Sequence, residues 1–252
     1  MNYNKRPVIY IGYDKREEIA YNVLKYSIER FNTDYDIIPL HQPTLRRLGL
    51  YRRNFEVNKH GQKIDTFDNL PFSTDFTFTR FLVPHISLYS GWSLFMDSDT
   101  YLRTDIKELF ATYNDPKYAL YCIKHHYMPT ETMKMDGQVQ QSYSRKNWSS
   151  VVLWNCSHPS NKNLTVDDVN TKSGRWLHNF KWLEDQEIGS MSEEWNWLDG
   201  HTDQDISPYL VHFTTGGPWF PKWVGKREDD VKYAEEWKAI HDDMSYGTLI
   251  GE

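Results

Sequence analysis

Residues 92–110, WSLFMDSDTYLRTDIKELF, decide how the rest of this chain is read. Ser93-Leu94-Phe95-Met96 is a mostly apolar run of the kind that ends a buried strand. It leads straight into Asp97-Ser98-Asp99, and a short helical pattern follows from Asp105 to Phe110. Two carboxylates two residues apart, where a buried strand emerges, can be aimed at one cation. In open α/β sheets the carboxyl ends of strands are where ligands bind. The plain alternative is a solvated polar turn, since a bare D-x-D arises often by chance.

Upstream, Val8-Ile9-Tyr10-Ile11 reads as a first parallel strand, closed by Gly12. Asp14 with Glu17 three residues later has the capping-box pattern. Ile19, Val23, Leu24, Ile28 and Phe31 follow at helical spacing and predict a helix over about 15–31. Ile37-Ile38-Pro39-Leu40 is the next strand, which completes a βαβ opening. From His41 to Phe76 the periodicity weakens, and Arg46, Arg47, Arg52 and Arg53 crowd together. That segment reads as a surface helix or loop with a solvated basic face, or as a mobile loop that meets an anionic substrate. Phe76 to Val83 reads as helical and ends at Pro84, with Arg80 set between Phe78 and Phe81 without an evident partner.

Downstream, Tyr118–Ile123, Ser149–Trp154 and Tyr209–Phe213 read as strands, and Arg175–Leu183 as a short aromatic helix. Lys124 to Lys146 lacks a period and reads as a lid or acceptor-facing loop. An amphipathic helix is predicted over about 228–244, with Val231, Ala234, Trp237 and Ile240 as its apolar stripe. There is no internal repeat and no domain-sized linker, so residues 1–252 are read as one α/β domain.

Composition narrows the function. The net charge of −6 argues against a general binder of nucleic acid or anionic membrane. Aromatic residues reach 15%, a surplus that suits stacking on bases and sugar rings, although large aromatics more commonly build cores. The two cysteines, Cys122 and Cys156, sit in apolar strand-like runs and form neither a disulfide framework nor a zinc spacing. No stretch is apolar enough to span a bilayer and none resembles a secretory leader, so a cytoplasmic protein is expected.

A divalent cation between paired carboxylates and a diphosphate would neutralise charge on a departing nucleotide. Asp97 and Asp99 could supply two ligands, and His212, at the end of the late strand, a third. A histidine in an apolar strand is more often a satisfied core residue. Mixed carboxylate and imidazole ligation favours Mn2+ over Mg2+. Gly216 and Gly217, just beyond, would let backbone approach phosphate oxygens.

Taken in order, these motifs resemble those of a GT-A-fold glycosyltransferase, close to glycosyltransferase family 8, which includes bacterial lipooligosaccharide galactosyltransferases and glycogenin. Val8 to Asp14 resembles the first strand and uridine-binding turn, with Tyr13 and Asp14 at the nucleotide. Phe78 to Pro84 resembles the helix whose arginine, here Arg80, reaches the donor. LFMDSDTYLRTDIKELF resembles the metal-binding strand and helix, and Asn147 to Asn155 the strand with an asparagine, Asn147, near the donor sugar. Asp185-Gln186-Glu187-Ile188 resembles the D-Q-D-I element, followed by Glu194-Trp195-Asn196, and VHFTTGGPW resembles the terminal segment that carries the third metal ligand. The likeness runs from about Val8 to Trp219.

The resemblance implies a GT-A (Rossmann-like) domain with a mixed, mainly parallel central sheet flanked by helices. It implies a soluble, metal-dependent, retaining hexosyltransferase that uses a UDP-sugar, UDP-glucose or UDP-galactose, with a saccharide or other acceptor that the loops set. Asp97, Asp99 and His212 would hold the metal, Asp97 and Ser98 would also touch the nucleotide, and Asp185 and Gln186 would face the donor sugar. Retention proceeds through an oxocarbenium-like state. The family's diphosphate lysine is replaced here by Gly217, with Lys222 as a nearby substitute. Asp203-Gln204-Asp205 is a second candidate for the sugar-facing pair. Two other readings use the same residues: a haloacid-dehalogenase-like, Mg2+-dependent phosphatase with Asp97 as nucleophile, and a sugar-nucleotide-binding protein without transfer activity.

Overall fold

The computed structural model describes residues 7–32, 34–125, 145–220 and 232–250. Strand β1 (Val8–Tyr13) passes through a 3-10 turn at Lys15–Glu17 into α1 (Glu18–Glu29), and β2 (Asp36–His41) returns parallel to β1. The expected βαβ opening is present, with one change at its start. Asp14 caps by accepting from Arg16 N, but Glu17 closes no capping box; its carboxylate accepts from Ser98 Oγ at 3.4 Å.

Helix α2 (Gln42–Arg47) is followed by β3 (Phe55–Val57), β4 (Lys63–Asp65) and β5 (Pro71–Phe72), a small antiparallel sheet. Strands of two or three residues are too short to show a period, which is why the sequence reads there as loop. Nor is the basic run a solvated face throughout. Arg53 is 3% exposed and paired with the equally buried Asp65. Thr79–Leu82 forms a 3-10 turn, and α3 (Val83–Ile86) carries Pro84 in its first turn. Proline opens this helix instead of ending one, because a first-turn N–H has no intrahelical acceptor to lose.

The chain continues through β6 (Trp92–Met96), β7 (Thr100–Leu102), α4 (Lys107–Thr112), β8 (Leu120–Cys122) and β9 (Val151–Asn155). Then come α5 (Val166–Thr171), α6 (Gly174–His178), β10 (Ile188–Ser190), β11 (Trp197–Leu198), β12 (Leu210–His212) and α7 (Ala234–Ile250). The aromatic helix begins at Gly174 and is shorter than expected. The C-terminal helix starts and ends about six residues later than the periodicity suggests, and residues 221–231 lie outside the described part.

The main sheet has the order β10-β8-β9-β6-β1-β2. Neighbours pair in parallel except β9, which is antiparallel to both β6 and β8, so the sheet is mixed and mainly parallel. Its strands read as unbroken apolar runs because both faces are covered. Tyr10, Phe95, Leu120, Cys122, Val152 and Trp154 pack into one cluster with Val83 and Ile86 of α3 and Trp176 and Leu177 of α6. Their alternate neighbours Ile9, Ile11, Leu94, Met96, Tyr121 and Leu153 pack into another with α1 and α4. This is the two-residue alternation of side chains across a strand.

A second sheet, β11-β12-β7, carries the chain from Asp99 towards the C-terminus. Its Tyr101, Trp197, Val211 and Phe213 pack with Trp237 and Ile240 of α7. Pairing of His212 with Thr100 sets the end of β12 against the residue after Asp99. Among the described residues no helix is long and apolar enough to cross a membrane.

Candidate functional site

The backbone around Asp97-Ser98-Asp99 is pinned on three sides. Asp97 N donates to Ser150 O at 2.8 Å, Thr100 Oγ1 donates to Asp97 O at 2.9 Å, and Phe213 N donates to Asp99 O at 2.9 Å. The turn therefore belongs jointly to β6, to the start of β9 and to the end of β12. Asp97 and Asp99 line a cleft, while Ser98 is fully buried and donates to Glu17. Ser98 is thus not brought to the cleft, contrary to the expectation from sequence.

His212 joins the two carboxylates. Its Nε2 lies 3.2 Å from Asp99 Oδ1, and one ligand atom from each of Asp97, Asp99 and His212 falls within 4.8 Å of the others. The three sit at the carboxyl ends of β6 and β12, with His212 2% exposed. Two hard oxygen donors and one imidazole, confined this closely, fit a divalent cation. Arg80 balances the second carboxylate. Its guanidinium lies 2.9 Å from Asp97 Oδ1, donates to Ser149 O at 2.8 Å, and stacks between the rings of Phe76 and Phe95. The partner that the sequence did not reveal for Arg80 is Asp97.

The cleft spans about 1020 Å3 including its open mouth. One wall is the segment 70–78 with β5, and the other is formed by Lys146, Asn147 and Ser149 together with Gly174, Arg175 and His178 of α6. Asn147 takes a left-handed backbone conformation, φ +62°, which asparagine tolerates better than most residues. Its Nδ2 is buried without a partner among the described residues. His178 accepts or donates at Nδ1 with Ser149 Oγ, 2.7 Å away. Burial, reinforced by the positive charges of Arg80, Lys146 and Arg53, presses its pKa well below the usual histidine range, so this ring is neutral at pH 7.

Other expected site residues go elsewhere. Tyr13 donates to Glu18 Oε1 at 2.7 Å and meets Tyr21 and His41 edge-on, outside the cleft lining. Asp14 is 2% exposed, and its carboxylate is occupied by Arg16 and by Asp75 N. Burial acts to raise its pKa, but the hydrogen bonds from Arg16 outweigh this and hold it below the usual carboxylate range. Its role is to fasten the β1 turn to residues 73–75. Asp185 and Gln186 are exposed, and Asp185 pairs with Arg145. They precede β10, which runs in the same direction as β6 through β8 and β9. Neither residue lines the cleft, although Arg145, the partner of Asp185, stands two residues before Asn147 of the cleft wall. Neither does Asp203-Gln204-Asp205 line it.

Beyond β12, Gly216 lines a small recess with Glu17, Ser73, Thr74, Asp99 and Thr215, and has φ +117°. Gly217 has a different reason for being glycine. A Cβ there would stand 2.2 Å from Cζ3 of Trp219. Any larger side chain at 217 would therefore force the indole to shift. Lys222, the suggested substitute, lies outside the described residues.

Ser149, Ser150, Lys146, Arg175, His178 and Asn196 went unnamed as site residues in the sequence reading. Of these only Asn196 carried a signal, as part of the Trp-Asn pair. His212 Nδ1 lies 2.9 Å from its Oδ1.

With this geometry in view, the chain can be compared with known proteins. No family model matches the sequence. Protein CDI of Arabidopsis thaliana is 47% identical over 240 residues, covering 92% of this chain and 85% of that one. Among solved structures, the bifunctional glycosyltransferase WbbM superposes with a TM-score of 0.58 at 16% identity, over 96% of this chain. The apo form of glycosyltransferase GlyE from Streptococcus pneumoniae TIGR4 gives 0.57 at 15%, over 94%. This chain spans only 50% and 60% of those two proteins. The galactosyltransferase LgtC, solved with donor and acceptor sugar analogues, gives 0.54 at 13% identity and is matched over 95% of its length, against 94% of this chain. The fold is therefore the GT-A fold of glycosyltransferases, and the phosphatase reading, which needs a different fold, falls with that result. The chain belongs to the same family as protein CDI of Arabidopsis thaliana, built on a GT-A glycosyltransferase scaffold.

Proposed function

We propose that this chain is a cation-dependent glycosyltransferase that moves a hexose from a UDP-sugar, UDP-glucose or UDP-galactose, to an acceptor with retention of configuration. The observation that carries the reading is the convergence of Asp97, Asp99 and His212 beside a cleft that also holds Arg80 and Asn147. Asp97, Asp99 and His212 would hold a divalent cation such as Mn2+, which would supply positive charge to the departing diphosphate. Arg80, held on Asp97 and Ser149 O, places a second positive charge at the same edge. Asn147 offers its unpartnered Nδ2 to an oxygen of the donor.

The lining of the cleft also bears on mechanism. Its described carboxylates are Asp68, Asp97 and Asp99. Asp68 accepts from Gly174 N at 2.8 Å and from Leu70 N at 3.1 Å, which keeps it on the α6 wall. With Asp97 and Asp99 assigned to the cation, a side-chain nucleophile on the far face of the sugar is lacking among the described lining residues. A front-face route, with acceptor and leaving phosphate on one side of the sugar, fits this lining. His178, neutral and buried, contributes shape and a fixed hydrogen bond there.

The test is NMR-monitored breakdown of a panel of nucleotide sugars with and without Mn2+, using wild type and Asp99→Ala. UDP release from one donor that needs Mn2+ and drops by at least 100-fold in Asp99→Ala is expected, with the α-anomer released first. Absence of turnover, together with no broadening of any donor signal on adding protein, would overturn the reading. Donor binding without turnover or transfer would instead identify a sugar-nucleotide-binding protein.

A further inference from the structure

Asn196 touches neither the cleft nor a carboxylate, yet it is fully buried and meets three polar groups. These are His212 Nδ1 at 2.9 Å, Ser150 Oγ at 2.9 Å and His125 Nε2 at 3.0 Å. We infer that Asn196, oriented by Ser150, is the positioning residue that holds His212 with its proton on Nδ1 and its Nε2 turned to the cation. This inference rests on the cation site proposed above.

Hydrogen-bond bookkeeping leads to the assignment. Ser150 Oγ lies 2.7 Å from the main-chain oxygen of Asn147. A carbonyl oxygen can only accept, so the serine hydroxyl proton is committed to that bond. The end of the Asn196 amide that faces Ser150 Oγ must then donate, and it is Nδ2. Its Oδ1 is thereby turned towards His212, and since an amide oxygen can only accept, His212 Nδ1 carries a hydrogen. Nε2 is left facing Asp99 Oδ1 at 3.2 Å. A bare ring nitrogen and a carboxylate oxygen at that distance repel one another unless positive charge is shared between them. Metal-bound histidines commonly donate their other ring N–H to such a partner, which fixes tautomer and ring orientation together.

Ser150 links this device to the cleft. Its Oγ and N both bond Asn147 O, at 2.7 and 3.3 Å, which holds the left-handed turn that puts Asn147 in the cleft wall. Its own carbonyl accepts from Asp97 N. One small serine therefore registers a carboxylate, the imidazole orienter and Asn147 against each other.

Two measurements test the inference. The first is a long-range 1H–15N spectrum of metal-free protein with labelled histidine, His212 being assigned by comparison with His212→Gln. It should show the neutral His212 ring as the Nδ1–H tautomer. The second is calorimetric titration with Mn2+ alone, after circular dichroism has shown each variant folded. Asn196→Ala and Ser150→Ala should each weaken Mn2+ binding about 10- to 100-fold. Asn196→Asp, whose carboxylate can still accept from Nδ1–H but loses the donor to Ser150 Oγ, should bind Mn2+ more tightly than Asn196→Ala. An Nε2–H tautomer in wild type, or unchanged Mn2+ affinity in Asn196→Ala and Ser150→Ala, would overturn the inference. Should Asn196→Ala fail to fold, the wild-type tautomer and Ser150→Ala still decide. Failure of wild type to bind Mn2+ would instead remove the cation site, a result separable because the tautomer is read without metal.

Discussion

Arg53 and Asp65 are among the most buried charges in the molecule. The guanidinium donates to both oxygens of Asp65, at 2.8 and 2.6 Å, and to the carbonyls of Val169 and Lys172 at 3.1 and 2.7 Å, with the Phe78 ring 4.0 Å away. Through this one side chain β4 and the end of α5 are tied behind the cleft wall. A buried pair stabilises little compared with apolar packing, but removing one partner strands the other charge. Asp65→Ala is therefore predicted to cost about 3–5 kcal/mol in urea unfolding, and Arg53→Met combined with Asp65→Leu to recover much of that loss. A cost below about 1 kcal/mol for Asp65→Ala would contradict the role given to the pair. The sequence shows Arg53 only as one of four arginines in an aperiodic stretch, because its partners come from three separate segments. Asp97, Asp99 and His212 were legible for the opposite reason. Each stands at or just after the end of an apolar run, where strand ends present side chains to ligands, and the order of the surrounding motifs singled them out.

The turn that follows β12 shows how packing can replace an expected side chain. Trp219 lies against Gly217, packs edge-on to Phe213, and continues to Trp237 of α7, with ring centroids 5.9 and 5.5 Å away. The indole anchors α7 onto the second sheet and occupies the place of any side chain at 217. Gly217→Lys should destabilise by about 1–3 kcal/mol through overpacking, read as a lower urea midpoint with an unchanged slope. A neutral substitution would show that Trp219 is free to move aside. Elements were legible here where their period was long enough: α1, β1, β2, β6 and β9 all lie close to where apolar spacing puts them. The Asp185-Gln186 reading shows the limit. A motif-like tripeptide fixes no position by itself: Asp185 is exposed and paired with Arg145, and neither it nor Gln186 lines the cleft.

Over the whole molecule, two apolar clusters sandwich the six-stranded sheet and a third seals the second sheet under α7. The fold class follows from this pattern of doubly buried strands, whereas the small β3-β4-β5 sheet that walls the cleft has almost no signature in sequence. The proposed cation ligands come from both sheets, Asp97 and Asp99 after β6 and His212 from β12, so their convergence depends on the sheets being joined. Crystals grown with Mn2+ and UDP, with diffraction recorded at the manganese absorption edge, test this account most directly. It predicts one anomalous peak within bonding distance of Asp97, Asp99 and His212 Nε2, with diphosphate oxygens completing the coordination. UDP bound with no peak at these residues, or a peak held by other side chains, would contradict it.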